Sequence, residues 1–259
     1  IYAFVSLPMV AFYGNYALLI DKIKQIIANV LSGSYASVGN LIAENNRENT
    51  IKVYWELFTI RIFLVGIIVF VLYNCIPEFI TLWLGEEYLL SNTALILILT
   101  IFSLNIIRGT TDEFISGHGL FSDIYSPFIE IIIFLISSLI GGFYWGLEGL
   151  LSGNIISTLI IIYGWKPYFL FTKGLKESIS KYWFIFIKYI LYTFISFSLA
   201  SLFIDLTRFE TTFSSPWVNF ILSSIYLAIL ISIIHFIVLY VGTQSMKTFT
   251  RRILTYILK

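Results

Sequence analysis

An all-α fold, a polytopic bundle of transmembrane helices, is the class this sequence predicts. Three observations predict it. Of the 259 residues, 58% are hydrophobic and only 12% are charged, against roughly 25% charged in an ordinary soluble protein. The mean hydropathy is +0.90, and so few polar groups cannot cover the surface of a soluble domain of this size. The apolar residues also gather into runs of about 20, the length that crosses a hydrocarbon core as a helix.

Seven complete spans and one partial span follow from these runs. Residues 1–13 read as the tail of a span whose start is missing. The complete spans cover about 15–43, 54–76, 89–107, 127–142, 147–164, 183–204 and 217–241. Pro77 marks the expected end of the second complete span, and Trp165-Lys166-Pro167 that of the fifth. Strands are excluded because the runs are too long and lack turn signals. Barrel strands would also alternate polar and apolar residues, and these runs do not. The whole chain, 1–259, reads as one transmembrane domain, with 242–259 as a basic cytoplasmic tail.

The positive charges support this count. Arg47, Lys52, Arg108, Lys166, Lys173, Lys176, Lys181, Lys247, Arg251, Arg252 and Lys259 fall in alternate gaps or the tail, and only Arg208 falls in the intervening gaps. Positive residues favour the cytoplasmic side, so the tail is expected in the cytoplasm. One missed or invented helix would scramble the alternation. The N-terminus lacks a Met and a charged region before an apolar stretch. It reads as a cut through a longer protein rather than a signal peptide.

Chemistry is sparse. One cysteine, Cys75, permits no internal disulfide and reads as a packing residue. Two histidines make a Cys/His metal site a poor expectation. No nucleophile with a matching base, paired carboxylate or phosphate-binding glycine loop is present, and Gly117-His118-Gly119 reads as a turn. No catalysis, cofactor or nucleic-acid partner is therefore expected.

Polar residues inside the spans carry the functional expectation. An ionisable group in a bilayer costs about 2.5–3.5 kcal/mol on insertion scales, so it faces protein or water. In the first complete span, Asp21, Gln25, Ser32 and Gly39 share an arc at 100° per residue. Lys22, Lys24, Asn29 and Asn40 flank it, and Ile23, Ile26, Ile27, Val30 and Leu31 take the other side. The wet face either lines a hydrophilic cavity or is a local pairing of Asp21 with snorkelling lysines. Arg61 lies two turns into the next span, where it lines a cavity or pairs with another helix. Its separation from Glu56 is a poor one for pairing on one helix. Asn105 and Arg108 share a face, although Arg108 also fits as an inside anchor. Glu130 suits the first turn of a helix. Asn154 and Ser157 fit interhelical hydrogen bonds, and His235 fits a packed polar residue.

Several stretches resemble a known family. They are Met9–Ile20 (MVAFYGNYALLI), Ser34–Asn45 (SYASVGNLIAEN), Leu82–Ser91 (LWLGEEYLLS), His118–Ile133 (HGLFSDIYSPFIEIII), Gly146–Thr158 (GLEGLLSGNIIST) and Trp165–Phe171 (WKPYFLF). Their order and spacing are similar to those of Wzx-type O-antigen and capsular polysaccharide flippases, of the multidrug/oligosaccharidyl-lipid/polysaccharide exporter superfamily. The resemblance reaches about Lys181; beyond it only hydropathy agrees. It implies the second lobe of a MATE-like two-lobed transporter in the bacterial inner membrane, with the N-terminal lobe absent from this chain. The cargo would be an undecaprenyl-diphosphate-linked oligosaccharide, flipped by alternating access. Lys22, Lys24, Arg61 and Arg108 would attract diphosphate or acidic sugars. Asp21, Gln25, Asn29 and Asn105 would bond sugar hydroxyls or couple to an ion. Partners would be membrane lipids, the missing lobe and a coupling ion. The alternatives are an exporter of drugs or lipid II in the same superfamily, and a membrane glycosyltransferase or polymerase.

Reporter fusions test the topology. Green fluorescent protein after Lys259 should fluoresce, and alkaline phosphatase inserted at Ser214 should be active. The opposite pattern would mean that the span count is wrong.

Overall fold

The computed structural model describes residues 4–207 and 213–257. Residues 1–3 of the expected partial span, Arg208, and residues 258–259 of the tail lie outside them. The described residues are helical, with no strand among them. In chain order the helices are α1 (Leu7–Leu31), α2 (Gly33–Ala43), α3 (Arg47–Trp83), α4 (Asn92–Ile107), α5 (Gly109–Gly117), α6 (Ser126–Thr158), α7 (Lys166–Phe169), α8 (Ile179–Thr207), α9 (Pro216–Gly242) and α10 (Gln244–Ile257). Among the described residues, five helical runs are long and apolar enough to cross a membrane: Arg47–Trp83, Asn92–Gly117, Ser126–Leu175, Ile179–Thr207 and Pro216–Gly242.

Helix boundaries follow backbone conformation more than composition. The expected break between residues 13 and 15 is absent, because α1 runs through Gly14. The break falls instead at Ser32, between α1 and α2. Its hydroxyl bonds the Asn29 carbonyl at 2.8 Å. Pro77 does not end α3, which continues to Trp83. The end comes at Gly85, whose φ of 112° is open only to glycine. The segment after Trp165-Lys166-Pro167 also stays helical, to Leu175. π-Helical stretches lie on either side of Lys166–Phe169, at Leu159–Trp165 and Leu170–Leu175, and the run ends where Lys176 turns left-handed at φ 53°.

The run from Ser126 is two antiparallel arms. Gly146 adopts φ 56° and ψ −127°, a glycine-only conformation that reverses the chain. The arms then pack backbone on backbone. A Cβ on Gly149 would collide with the Gly141 carbonyl, and one on Gly153 with Ser138. Ser137 donates to the Gly153 carbonyl at 3.0 Å, and Ser138 to the Leu150 carbonyl at 3.1 Å. Small residues allow this approach, and the two hydroxyls hold it.

The chain forms two compact units. The first is Ile1–Ile51 with Leu90–Ile179; the second is Lys52–Leu89 with Ser180–Lys259. In the first, α4 packs on α1 and on α6, and α2 on α5. Tyr16, fully buried, accepts a 3.1 Å hydrogen bond from the Leu90 amide. Ser91 caps α4 by accepting from the Ala94 amide at 3.0 Å while donating to Glu148 at 2.6 Å. These bonds tie α1, α4 and the second arm of α6 at one end.

The second unit packs α3, α8 and α9 around Phe70, Ala200 and Ile231. His235 is fully buried, as expected of a packed polar residue. Its Nδ1 lies 2.9 Å from the Ser196 hydroxyl, and its ring stacks on Phe63. Gly66 leaves the space that this ring occupies. Cys75 is buried against Ser224, with Sγ 3.3 Å from its hydroxyl.

The close approach in α6 predicts a contrast between two glycines. Gly149→Ala should cost about 1–3 kcal/mol by overpacking. It should lower the melting temperature in detergent. Gly14→Ala meets nothing within 4 Å and should leave that temperature unchanged or slightly raised, since alanine favours a helix interior. Equal melting of the two variants would refute the packing.

Candidate functional site

The α1–α4 face forms a cavity of about 130 Å³ in the first unit, room for several waters. Tyr13, Ala17, Ile20, Asp21 and Lys24 line it from α1, Ile98, Ile101, Phe102 and Asn105 from α4, and Leu151 from α6. The register explains the grouping. Positions 13, 17, 20, 21 and 24 recur at helical spacing, as do 98, 101, 102 and 105, so each set lies on one face. Tyr16, Ile20 and Ile27 are the residues of α1 that are buried. Packing through this strip brings the flank carrying Asp21 and Lys24 to the cavity. Both side chains are exposed, so the cavity has a carboxylate and an ammonium at its open side. Asn105 donates to the Ile101 carbonyl at 2.9 Å, which leaves its amide oxygen to accept.

Of the expected site residues, Asp21, Lys24 and Asn105 meet here. Lys22, Gln25 and Asn29 are exposed on α1 but do not line this cavity. The apolar side of α1 is not all inside either. Ile26 and Val30 are 63% and 70% exposed, so α1 touches the rest of its unit along a narrow strip. Arg61 is buried, at 7% exposure, on α3 in the second unit, and is not in the lining. Glu56 pairs with Arg252, 2.9 Å away. Ser157 bonds locally, to the Asn154 carbonyl at 2.9 Å.

Arg108 belongs to another group. Its Nε donates to Asp112 at 2.9 Å, and Lys166 Nζ donates to the other oxygen of Asp112 at 3.2 Å. One carboxylate thus holds two cations, each partly exposed. Beside Lys166, Trp165 donates its indole N–H to Asp123 at 2.9 Å. Asp123 accepts from Ser126 as well, at 2.6 Å.

The sequence reading missed Tyr13, Asp112 and Lys166. Asp112 was legible, since it lies four residues after Arg108, a pairing distance on a helix. Tyr13 was legible as a member of the face it shares with Ala17, Asp21 and Lys24. Lys166 was counted as a topological anchor, and its partner lies 54 residues away.

Fold and site together define a helical protein with, among the described residues, five runs long and apolar enough to cross a membrane and a small polar cavity in its first unit. No family model, curated protein or solved structure matches the chain.

Water entry distinguishes a wet cavity from a dry seam. With Cys75→Ser as background, Lys24→Cys and Asn105→Cys should react quickly with a membrane-impermeant maleimide. Ile132→Cys should react slowly, because Ile132 is 55% exposed but faces lipid if its helix crosses the membrane. Slow reaction at both cavity positions would make the cavity dry.

Proposed function

We propose that this chain is the second lobe of a membrane exporter that flips an undecaprenyl-diphosphate-linked oligosaccharide, a Wzx-type flippase of the bacterial inner membrane. The reading rests on the ordered set of resembling stretches together with one observation. The stretch Met9–Ile20 and the polar positions after it lie on the helix that lines the cavity. In this reading the chain crosses the membrane seven times. α1 with α2, α3, α4 with α5, the two arms from Ser126, α8 and α9 are the crossings, and the C-terminus is cytoplasmic.

The chemistry follows from the side chains. A sugar–diphosphate headgroup cannot enter hydrocarbon, because its charges and hydroxyls would lose water without replacement. Lys24 supplies a mobile ammonium for phosphate oxygens. Asp21, Asn105 and the Tyr13 hydroxyl supply acceptors and donors for sugar hydroxyls. A 130 Å³ recess holds a fragment of such a headgroup, not the whole. The cavity of α1 and α4 is then one wall of a larger path, completed by the first lobe. Export needs no bond to be made or broken.

Assays in the full-length protein test this. Lys24→Gln and Asp21→Asn should each reduce surface polysaccharide by about tenfold or more, the worth of one charged hydrogen bond. Lys22→Gln should change it little. Arg61→Ala should also reduce export if its burial positions α3 for transport. Normal export in both cavity variants, at normal protein levels, would overturn the assignment of the site. Normal export after deletion of the gene would overturn the function.

A further inference from the structure

The last helix has no place in the transport reading, yet it carries a distinctive pattern. α10 is Gln244–Ile257, and residues 244–259 contain Lys247, Arg251, Arg252 and Lys259 but no Asp or Glu. Fourteen residues make a helix of about 21 Å, too short for a hydrocarbon core of about 30 Å. It begins one residue after α9, which is among the runs able to cross a membrane. It therefore starts where such a run ends.

Three contacts fix that elbow. Thr243 is extended, with φ −129° and ψ 138°. Its amide closes α9 on the Leu239 carbonyl at 2.9 Å, and its hydroxyl accepts from the Met246 amide at 3.3 Å at the start of α10. Tyr192 donates to the Gly242 carbonyl at 3.2 Å, its ring filling the space that a side chain at 242 would need. The helix is then clamped to α3, where Arg252 pairs with the buried Glu56.

Met246, Phe249 and Ile253 share one face at spacings of three and four residues. Met246 is buried at the protein end, while Ile253 and Leu254 are 41% and 51% exposed. On the helical wheel Lys247 and Arg251 lie beside Leu254, Arg252 lies on the opposite flank, and Gln244, Thr248 and Thr255 lie between. An apolar arc edged by cations and backed by hydroxyls is the pattern of a helix lying in a bilayer interface. No ion pair engages Lys247 or Arg251 among the described residues.

We propose that α10 is an in-plane interfacial helix whose Lys247–Arg251 edge binds the headgroups of anionic phospholipids, with Ile253 and Leu254 seated among the acyl chains. Basic residues at an anionic surface gain Coulomb attraction, and an apolar arc gains area burial. The Arg252–Glu56 pair holds the helix at the depth where both are met. This inference rests on α9 crossing the membrane, not on the cargo.

The test uses the whole chain, in a Cys75→Ser background, in vesicles of phosphatidylcholine with 30% phosphatidylglycerol. A donor fluorophore on Ile253→Cys should be shielded from aqueous iodide, and one on Thr255→Cys should be quenched by it. Energy transfer from the Ile253→Cys donor to trace labelled phosphatidylglycerol should exceed transfer to labelled phosphatidylcholine. That preference should fall about fivefold for each of Lys247→Gln and Arg251→Gln. Both variants keep Arg252 and Glu56, so the clamp stays in place. Equal transfer to the two lipids would overturn the proposal. So would iodide quenching at both positions, or shielding of Ile253 by cross-linking to a second copy of the chain.

Discussion

An ionised side chain on or beside helices apolar enough to cross a membrane must be paired or wetted, and this constraint organises most of what is polar here. Pairing accounts for Glu56 with Arg252 and for Asp112 with Arg108 and Lys166. Wetting accounts for Asp21 and Lys24, which sit at the open side of a recess that gathers polar groups from two helices in the first unit. Burial with a polar neighbour suffices for His235, which lies against Ser196. The apolar remainder has no such demand and packs by shape, as where Phe70, Ala200 and Ile231 meet.

Fold class was legible because it depends on summed hydropathy over long windows, which local detail hardly disturbs. The positions of α8 and α9 followed for the same reason, each within a few residues of the expected span. Helix ends were less legible. Pro77 and Trp165-Lys166-Pro167 look like stops, yet a helix absorbs a proline when the surrounding turns keep their own hydrogen bonds. The true stops are backbone reversals at Gly85 and Lys176. A lysine in a left-handed conformation carries no advance signal, since any residue but glycine is disfavoured there. Gly146 was legible only as a turn; that it brings two backbones into contact depends on Gly141, Gly149 and Gly153 acting together.

The cavity was half legible. Periodicity alone sorted α1 into faces, and Asp21 and Lys24 were on the polar list. Periodicity cannot say which edge of a polar face meets a neighbour, and that edge turned out to carry Tyr13 rather than Gln25 or Asn29. Arg108 illustrates the opposite case. A neighbour four residues along fixes its side chain, so a local rule decided what the reading of burial left open. Arg61 and the Glu56–Arg252 pair depend on helix packing far apart in sequence, which no window of the chain contains.

The ties along α1 set where its charged residues stand relative to the fastened parts of the helix. Tyr16 is fastened to the Leu90 amide, and Ser91 beside it is fastened to Glu148. Beyond the recess, α1 stops at Ser32, and the chain is held again where α2 packs on α5 and Ser34 donates to Glu113 at 2.7 Å. α1 is therefore strung between two fastenings, Tyr16 beside the recess and Ser34 beyond it. Lys24, about midway between them, is the lining residue of α1 farthest from either peg, so the cation of the recess sits on its least tethered stretch.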